Sequence, residues 1–226
     1  MKYLITTRAD DSVKWLSDIT HPLFEKYAEQ CNADFMILNH EPPVMSWDNR
    51  PHFRIMKHYE LHEEYDRILH LDTDIIINKN TPNIFEYVPY DKIGCVLEDW
   101  GREERINDRR QMMRKTQDEW GDIEWNEKYI NSGVFLTSKI HRDIYQPFEG
   151  KYWTGDGSDD IHMGYMIKKL NYEIFELPYQ FNHTGTYSEA WNGSPSKLSS
   201  HFLHYAGGEG IKKELVRDYK IIYGAD

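Results

Sequence analysis

The chain has 226 residues and a formal net charge of −11. The length suits one α/β domain with its own core, and the acidity argues against a surface for nucleic acid or anionic membrane. Its two cysteines, Cys31 and Cys95, are too few for a disulfide framework or a zinc site, which indicates a reduced, cytoplasmic protein. The sequence has no signal-peptide pattern and no apolar run near 20 residues, so we expect no transmembrane segment.

The first forty residues predict a β-α-β unit. Strands are expected at 3–7 and 35–38, with a helix from about 12 to 32 that breaks or restarts at Pro22. This order is typical of a parallel sheet with a right-handed crossover. The first strand then ends at the ligand-binding edge of the sheet with Thr6, Thr7 and Arg8. Strand propensity alone also accounts for the two threonines.

A loop over 41–51 and a helix over 53–64 follow this unit. Arg54 lies on the helix, where its guanidinium either reaches a diphosphate or stays on a solvated face. The sequence favours neither role over the other.

The next strand carries the strongest chemical signal in the chain. An apolar run from Arg67 to Leu71 leads into Asp72-Thr73-Asp74, and three isoleucines follow. In extended backbone the two carboxylates lie on the same side, where they repel each other unless a cation compensates. Carboxylate oxygens suit Mg²⁺ or Mn²⁺, which leave coordination positions open for substrate phosphates. Two solvated turn residues are the alternative, because a motif this short recurs by chance.

The rest of the chain has no internal repeat or linker, so we expect a single domain over 1–226. The segment 98–128 is too polar to be core throughout, and we interpret it as a partly helical insertion over the site. A plain surface excursion is the alternative. The other expected elements are strands at 93–97, 131–137 and 172–177, and helices near 83–86, 140–148, 161–170 and the end of the chain.

A second acidic segment, 155–160, has the sequence Gly-Asp-Gly-Ser-Asp-Asp. With the Asp-x-Asp motif it resembles the acidic loops of haloacid-dehalogenase-type phosphatases. That resemblance would make Asp72 the nucleophile and Asp156 and Asp160 metal ligands. Three features disagree: Ile76 stands where that family has a threonine, two βα units precede Asp72, and no buried strand leads into the second loop.

A larger set of motifs resembles the GT-A-fold, metal-dependent glycosyltransferases, especially the glycogenin and bacterial galactosyltransferase type of glycosyltransferase family 8. The matching pieces are the Asp-x-Asp strand, Asn-Ser-Gly-Val at 131–134, Leu-Pro-x-x-Phe-Asn at 177–182, and His-Tyr-Ala-Gly at 204–207 with a lysine behind it. They follow the family's order. The gap from Gly207 to this lysine is longer than in the family, so Lys212 and Lys213 both stay open, and the usual Pro-Trp after it is missing.

The resemblance implies a Rossmann-like GT-A domain with a mostly parallel central sheet flanked by helices. It implies transfer of a hexose-type sugar from a nucleotide-sugar, with a UDP-sugar expected, to a hydroxyl of a glycan or other acceptor, with retention of configuration. The partners would be a nucleotide-sugar donor and a carbohydrate acceptor, and not a nucleic acid. The insertion over 98–128 would contribute to recognition of the acceptor.

The resemblance also implies roles for individual residues. Asp72, Asp74 and His204 would bind Mn²⁺ or Mg²⁺, and a lysine would stabilise the charge on the departing diphosphate. A hydrogen-bonded core histidine is the alternative for His204. The expected nucleotide contacts are Thr6, Thr7, Arg8, Arg54, Asp72, Thr73, Gly207 and Lys212.

Asp159 and Asp160 stand at the predicted start of a helix in a Gly-rich loop. Capping that helix is one role for them. The other is catalytic: binding a sugar hydroxyl or, in an inverting enzyme, acting as general base, with Asp160 the preferred candidate. The sequence leaves the base of the donor, the sugar, the acceptor and the oligomeric state open.

Overall fold

The computed structural model describes residues 1–43, 51–207 and 209–224. The expected loop at 41–51 therefore lies largely outside the described residues. The first elements are β1 (Tyr3–Arg8), α1 (Lys14–Cys31), β2 (Ala33–Leu38), a 3₁₀ helix (Pro51–Lys57) and α2 (His58–Leu61). β1 pairs in parallel with β2, so the predicted β-α-β unit is confirmed.

Helix α1 continues through Pro22, so the expected break there is wrong. Pro22 lies on the exposed face of the helix. The opposite face buries Leu23, Phe24 and Tyr27 in a core cluster that includes Leu69. This packing outweighs the one backbone hydrogen bond that a proline is unable to donate.

The later elements supply the rest of the sheet and its second layer of helices. They are β3 (Arg67–Leu71), β4 (Ile75–Ile77), α3 (Ile84–Tyr87), β5 (Ile93–Leu97), α4 (Glu103–Trp120), β6 (Ile130–Ser138), a 3₁₀ helix (Lys139–Tyr145), α5 (Ser158–Lys169), β7 (Ile174–Glu176), β8 (Phe202–His204) and α6 (Glu209–Tyr223). Short 3₁₀ helices connect β7 to β8 at Tyr179–Phe181, Gly185–Ser188, Ala190–Asn192 and Lys197–Ser199.

In the described ranges the main sheet has six strands in the order β2-β1-β3-β6-β5-β7. Only β6 runs against its two neighbours, and the other pairings are parallel. Alternate residues of β6 face two hydrophobic clusters: Val134 and Leu136 pack with side chains of α1, and Phe135 packs with side chains of α5. The predicted fold class, an α/β protein with a mostly parallel sheet between helices, is confirmed.

The polar segment 98–128 is partly helical, as expected, and contains α4. Met113 and Thr116 are the buried residues of this helix. The segment also reaches the core: Trp125 is buried, and a Cβ atom added at Gly164 of α5 would come within 2.6 Å of its ring. The described helices include none that is both long enough and apolar enough to cross a bilayer.

The core holds several neutral histidines. Burial lowers the pKa of His62, His141, His162 and His183 from 6.5 to about 4. The contacts of His162 show why its ring stays neutral, with a proton on only one nitrogen. Its Nδ1 accepts a hydrogen bond from the backbone N–H of Trp153 at 3.3 Å, and its Nε2 donates to the backbone carbonyl of Gln146 at 2.9 Å. A second proton on His162 would break the bond from Trp153.

The free energy of unfolding should therefore fall as the pH drops from 6.5 towards 4. In this window the unfolded chain binds protons that the folded chain excludes, so acid favours unfolding. His162→Gln should reduce the slope by about one proton, measured by urea unfolding at a series of pH values. Asn80→Gln, a substitution at an exposed position without a titratable group, should leave the slope unchanged. Equal slopes in all three proteins would contradict this account.

Candidate functional site

Two strand pairs bring the Asp-x-Asp motif and His204 together. Asp72 directly follows β3, and its backbone N–H donates to the Gly133 carbonyl of β6 at 2.9 Å. Asp74 directly precedes β4, whose Ile75 is in register with His204 of β8 in a separate two-stranded antiparallel sheet. Backbone pairing therefore fixes the distance between these parts of the chain. Strand β8 was not among the strands predicted from the sequence.

The three side chains converge. His204 Nε2 lies 3.2 Å from Asp74 Oδ1 and 3.7 Å from Asp72 Oδ2. One ligand atom from each residue falls within 4.8 Å of the others, and within the described ranges no other group of three histidine, cysteine or acidic residues does so. The histidine is 3% exposed, whereas the carboxylates are 24% and 16% exposed and can reach a ligand. Two carboxylates and one imidazole are a donor set that fits a divalent cation such as Mn²⁺ or Mg²⁺.

The imidazole of His204 lies against the backbone of Gly133. A Cβ atom at position 133 would stand 2.4 Å from Cε1 and 2.7 Å from Nδ1 of the ring, which is closer than atoms can approach. A glycine inside a strand is typical of a close approach by another group, and here that group is the ring of His204. Position 133 therefore needs glycine because of the His204 ring and not because of the backbone conformation of β6.

Arg8 connects Asp72 to a second acidic pair. The guanidinium is 8% exposed, donates to Asp72 Oδ1, and lies 2.7 Å from Asp159 Oδ2. Burial alone would raise the pKa of Asp72, but the charge of Arg8 and a hydrogen bond with His70 hold that pKa well below its usual range. Asp72 is therefore anionic, and Asp159 belongs to the same site.

Asp159 and Asp160 lie in the first turn of α5, which begins three residues earlier than the sequence indicated. Asp159 also accepts from the Ser132 hydroxyl at 3.1 Å, and Asp160 accepts from the Ser132 N–H at 2.8 Å. Burial, and then the charge of Asp159, raises the pKa of Asp160 well above its usual value. These described hydrogen bonds run to β6 and to Arg8, and no side chain caps the start of α5. Capping does not account for the pair.

A cleft of about 220 Å³ opens beside the acidic motif, lined by side chains that include Arg8, Arg54, Asp72, Thr73 and Asp74. Arg54 Nη1 lies 2.9 Å from Asp10 Oδ2, so this arginine is fixed at the edge of the cleft.

The threonines at the end of β1 have different surroundings. Thr7 Oγ1 is 3.2 Å from Thr73 Oγ1, and both side chains are largely buried. Thr6 is fully buried between His58 and His70, with its Oγ1 2.8 Å and 3.2 Å from their ring nitrogens. The expected contact between the Thr6 side chain and a nucleotide has no support in this geometry. Thr6 instead holds His70, whose Nε2 is 3.5 Å from Asp72 Oδ1.

Two further expected residues follow β8. Gly207 is exposed and has a φ of +137°. Lys212 lies in α6, but its side chain falls outside the described part of the chain. The structure therefore gives no distance from this lysine to the acidic motif.

Glu98 and Ser132 are site residues that were not predicted from the sequence. Ser132 holds both carboxyl groups at the start of α5. Glu98 directly follows β5 and is 5% exposed, although it carries a charge. A carboxylate at the end of a buried strand is the same signal that drew attention to Asp72, so the sequence did contain the information.

The phosphatase arrangement is not favoured by the geometry. Asp156 is exposed and lies 3.0 Å from Lys115, which is also exposed. The cluster around Asp72 contains Asp74 and His204 and does not include Asp156. The second acidic segment therefore does not supply the pair of metal ligands that the phosphatase interpretation requires.

Comparison of the sequence with protein-family models and with curated proteins gave no match. Solved structures do match. A glycosyltransferase involved in glycosylation of the major capsid of PBCV-1 shares 14% identity over 100% of both chains, with a TM-score of 0.61. The galactosyltransferase LgtC, in complex with donor and acceptor sugar analogues, shares 13% identity over 99% of this chain and 97% of its own, with a TM-score of 0.54.

A mutant of Drosophila β1,4-galactosyltransferase 7, in complex with manganese, UDP-Gal and xylobiose, shares 11% identity over 94% of this chain and 74% of its own, with a TM-score of 0.50. At these identities the matches establish the fold, which is that of the GT-A glycosyltransferases.

Gly133→Ala should displace the His204 ring, because the added methyl group overlaps the imidazole, and should weaken the Mn²⁺ binding predicted for this cluster by about tenfold or more. Gly185→Ala is the matched control, since a Cβ atom there meets nothing within 4 Å. Titration of Mn²⁺ followed by electron paramagnetic resonance measures both affinities. Equal binding in the two variants would contradict the contact between residues 133 and 204.

Proposed function

We propose that this chain is a metal-dependent glycosyltransferase, related to glycosyltransferase family 8, that transfers a hexose-type sugar from a UDP-sugar to a hydroxyl of a carbohydrate acceptor. The observation that carries the proposal is the cluster of Asp72, Asp74 and His204 at the sheet edge of a GT-A fold. These residues would hold Mn²⁺ or Mg²⁺, which supplies positive charge to the diphosphate leaving group. The presence of manganese and UDP-Gal in one structural neighbour supports this choice of ligands.

The nucleotide would occupy the cleft beside the acidic motif. Its walls include the cation of Arg54, Thr73 and the proposed metal ligands Asp72 and Asp74. A diphosphate needs such positive charge because both of its phosphates are anionic. Arg8 and Gly207 would complete the nucleotide contacts. Thr7, which is fully buried, would act through Thr73, whose hydroxyl it contacts at 3.2 Å, and Lys212 would stabilise the leaving diphosphate.

The donor sugar would lie against Asp159 and Asp160. Both carboxyl groups are fixed by Ser132, and Arg8 joins Asp159 to Asp72. Carboxyl groups held this rigidly suit the binding of sugar hydroxyls, because orientation is supplied before the substrate arrives. We assign them this role in a reaction that retains the anomeric configuration, on the strength of the sequence resemblance.

An acceptor sugar has a second cleft available, of about 430 Å³. Its lining includes Trp100, Glu176, Tyr187 and Trp191. Trp100 is 57% exposed and its indole N–H donates to Glu176 at 3.0 Å, whereas Trp125 of the same segment is buried. Exposed indole rings pack against the apolar faces of pyranose rings, and a neighbouring carboxylate accepts from their hydroxyls. This is the contribution of segment 98–128 to acceptor recognition that we propose.

The acceptor cleft lies at the C-terminal end of β5, because its lining includes Val96 and Leu97. The Tyr187 hydroxyl donates at 2.6 Å to the carbonyl of Leu97, the residue before Glu98. Glu98 in turn contacts Asn131 of β6. An acceptor bound on Trp100 would therefore extend from the carboxyl edge of the sheet, where the donor is proposed to bind.

Incubation with UDP-galactose or UDP-glucose and Mn²⁺ should release UDP slowly even without acceptor. Asp74→Asn should reduce this release by at least about 100-fold, because it removes a proposed metal ligand. Asp156→Asn is the matched control and should behave like the unmodified chain, since Asp156 contacts Lys115 at the surface. Phosphomonoester hydrolysis that depends on Asp72 and Asp156 would establish the phosphatase instead. Metal-dependent UDP binding without any turnover would indicate a binding protein.

Trp100→Ala should raise the KM for the acceptor by about 3- to 10-fold and leave the KM for the donor unchanged, which is the expected cost of one lost stacking contact. The best acceptor from a panel of p-nitrophenyl glycosides serves as substrate. Trp15→Ala removes another exposed tryptophan, 49% exposed on α1, and should change neither value. An unchanged acceptor KM in Trp100→Ala would place the acceptor elsewhere.

A further inference from the structure

Glu98 is a buried carboxylate that the proposed reaction does not yet use. Two arginines of α4 contact its Oε2: Arg105 at 2.8 Å and Arg109 at 2.7 Å. Its Oε1 accepts a hydrogen bond from the side-chain amide of Asn131 at 2.6 Å. Burial alone would raise the pKa of Glu98, but the charges of the two arginines and the bond from Asn131 lower it. Glu98 is therefore an anion that only accepts hydrogen bonds.

From Glu98 a chain of hydrogen bonds leads to the metal cluster. Asn131 Oδ1 accepts from the side-chain N–H of Asn182 at 2.7 Å and from the Gly133 backbone N–H at 2.9 Å. Asn182 Oδ1 lies 2.7 Å from His204 Nδ1. Asn182 is 1% exposed and His204 is 3% exposed, so water does not replace these contacts.

The carboxylate of Glu98 and the backbone N–H of Gly133 fix the direction of these hydrogen bonds. A carboxylate only accepts, so the NH₂ group of Asn131 must face Glu98. A backbone N–H only donates, so Gly133 independently places the oxygen of Asn131 on the other side. Asn182 must then direct its NH₂ group towards Asn131 and its oxygen towards His204. The ring nitrogen that meets this oxygen, Nδ1, must carry a hydrogen.

We propose that Glu98 is a positioning residue that, through Asn131 and Asn182, fixes His204 in the tautomer with hydrogen on Nδ1 and so presents the Nε2 lone pair to a divalent cation. The inference rests on the proposed function, because it assumes that the cluster binds a metal. It assigns a role to Glu98, which lies 106 positions before His204, and to Arg105 and Arg109, which neutralise the charge of Glu98. A ligating imidazole is commonly oriented through its second nitrogen, here by a carboxylate two amides away.

Glu98→Gln tests this inference with almost no change in shape. The introduced amide keeps its oxygen on the two arginine donors, so its NH₂ group faces Asn131. Asn131 can accept from this NH₂ group only by giving up its bond from the Gly133 N–H, so its two orientations compete and Asn131 is reversed in a fraction of the molecules. In that fraction its NH₂ group faces Asn182. Asn182 then also reverses its amide, so that its NH₂ group faces His204 Nδ1. Nδ1 can accept from this group only if it carries no hydrogen, which places the hydrogen on Nε2.

The tautomer is read from the ¹⁵N chemical shifts of the His204 ring near pH 8 and without metal, because protonated and unprotonated ring nitrogens differ in chemical shift. The unmodified chain should show hydrogen on Nδ1, and Glu98→Gln should show it on Nε2 in a substantial fraction of molecules. Mn²⁺ affinity should fall by about 10- to 100-fold in this variant. Glu104→Gln, which makes the same change at an exposed position of α4, should alter neither quantity.

A second substitution distinguishes positioning from a general loss of structure. Adding Asn182→Asp to Glu98→Gln places an acceptor-only carboxylate beside His204 Nδ1, which should restore the original tautomer and most of the Mn²⁺ affinity. Loosened packing would not be repaired by this change.

Three outcomes would count against these proposals in different ways. Hydrogen on Nε2 in the unmodified chain overturns the inference without any variant. Unmodified Mn²⁺ binding with no effect of Glu98→Gln overturns the inference and leaves the proposed function standing. Absence of Mn²⁺ binding in the unmodified chain overturns the proposed function and, with it, the purpose assigned to Glu98.

Discussion

Crowding of negative charge at one edge of the sheet is the constraint on which the site depends. Asp72, Asp74, Asp159, Asp160 and Glu98 are all partly or fully buried there. Like charges at such distances are costly to keep out of water unless cations oppose them. Arg8 lies between the two aspartate pairs, and Arg105 and Arg109 hold Glu98. Asp74 lies beside His204 and close to Asp72, and a cation bound between these three side chains would relieve the repulsion between the two carboxylates.

The sequence predicted the fold and the acidic motif because both depend on local patterns. Apolar runs mark buried strands, and Asp72 and Asp74 follow such a run directly. The triad with His204 came from resemblance to a family, since 130 residues separate Asp74 from His204 and no local rule joins them. The structure shows that pairing between β4 and β8, an element missing from the sequence analysis, brings them together.

Other features depended on packing that a single sequence does not reveal. Pro22 was expected to interrupt α1, but the buried face of the helix decided its length. Thr6 and Thr7 have the same chemistry, yet strand alternation turned Thr6 towards His58 and His70 and brought Thr7 to Thr73. Glu98 was taken for part of a polar surface segment. Its place at the end of a buried strand was a signal in the sequence, but its partners Arg105, Arg109 and Asn131 lie on other elements and meet it only in the folded chain.

The antiparallel strand β6 has a consequence for synthesis of the chain. It lies between β3 and β5 in the sheet, but it follows both of them in sequence. While the ribosome has released only the first 120 or so residues, β3 and β5 each expose an unpaired backbone edge at the place where Asn131, Ser132 and Gly133 will later arrive. Unpaired backbone N–H and C=O groups at the edges of apolar strands can form hydrogen bonds with strands of other chains. The nascent polypeptide is therefore prone to aggregation until β6 emerges, and a cellular chaperone that covers these two strand edges would protect it at that stage.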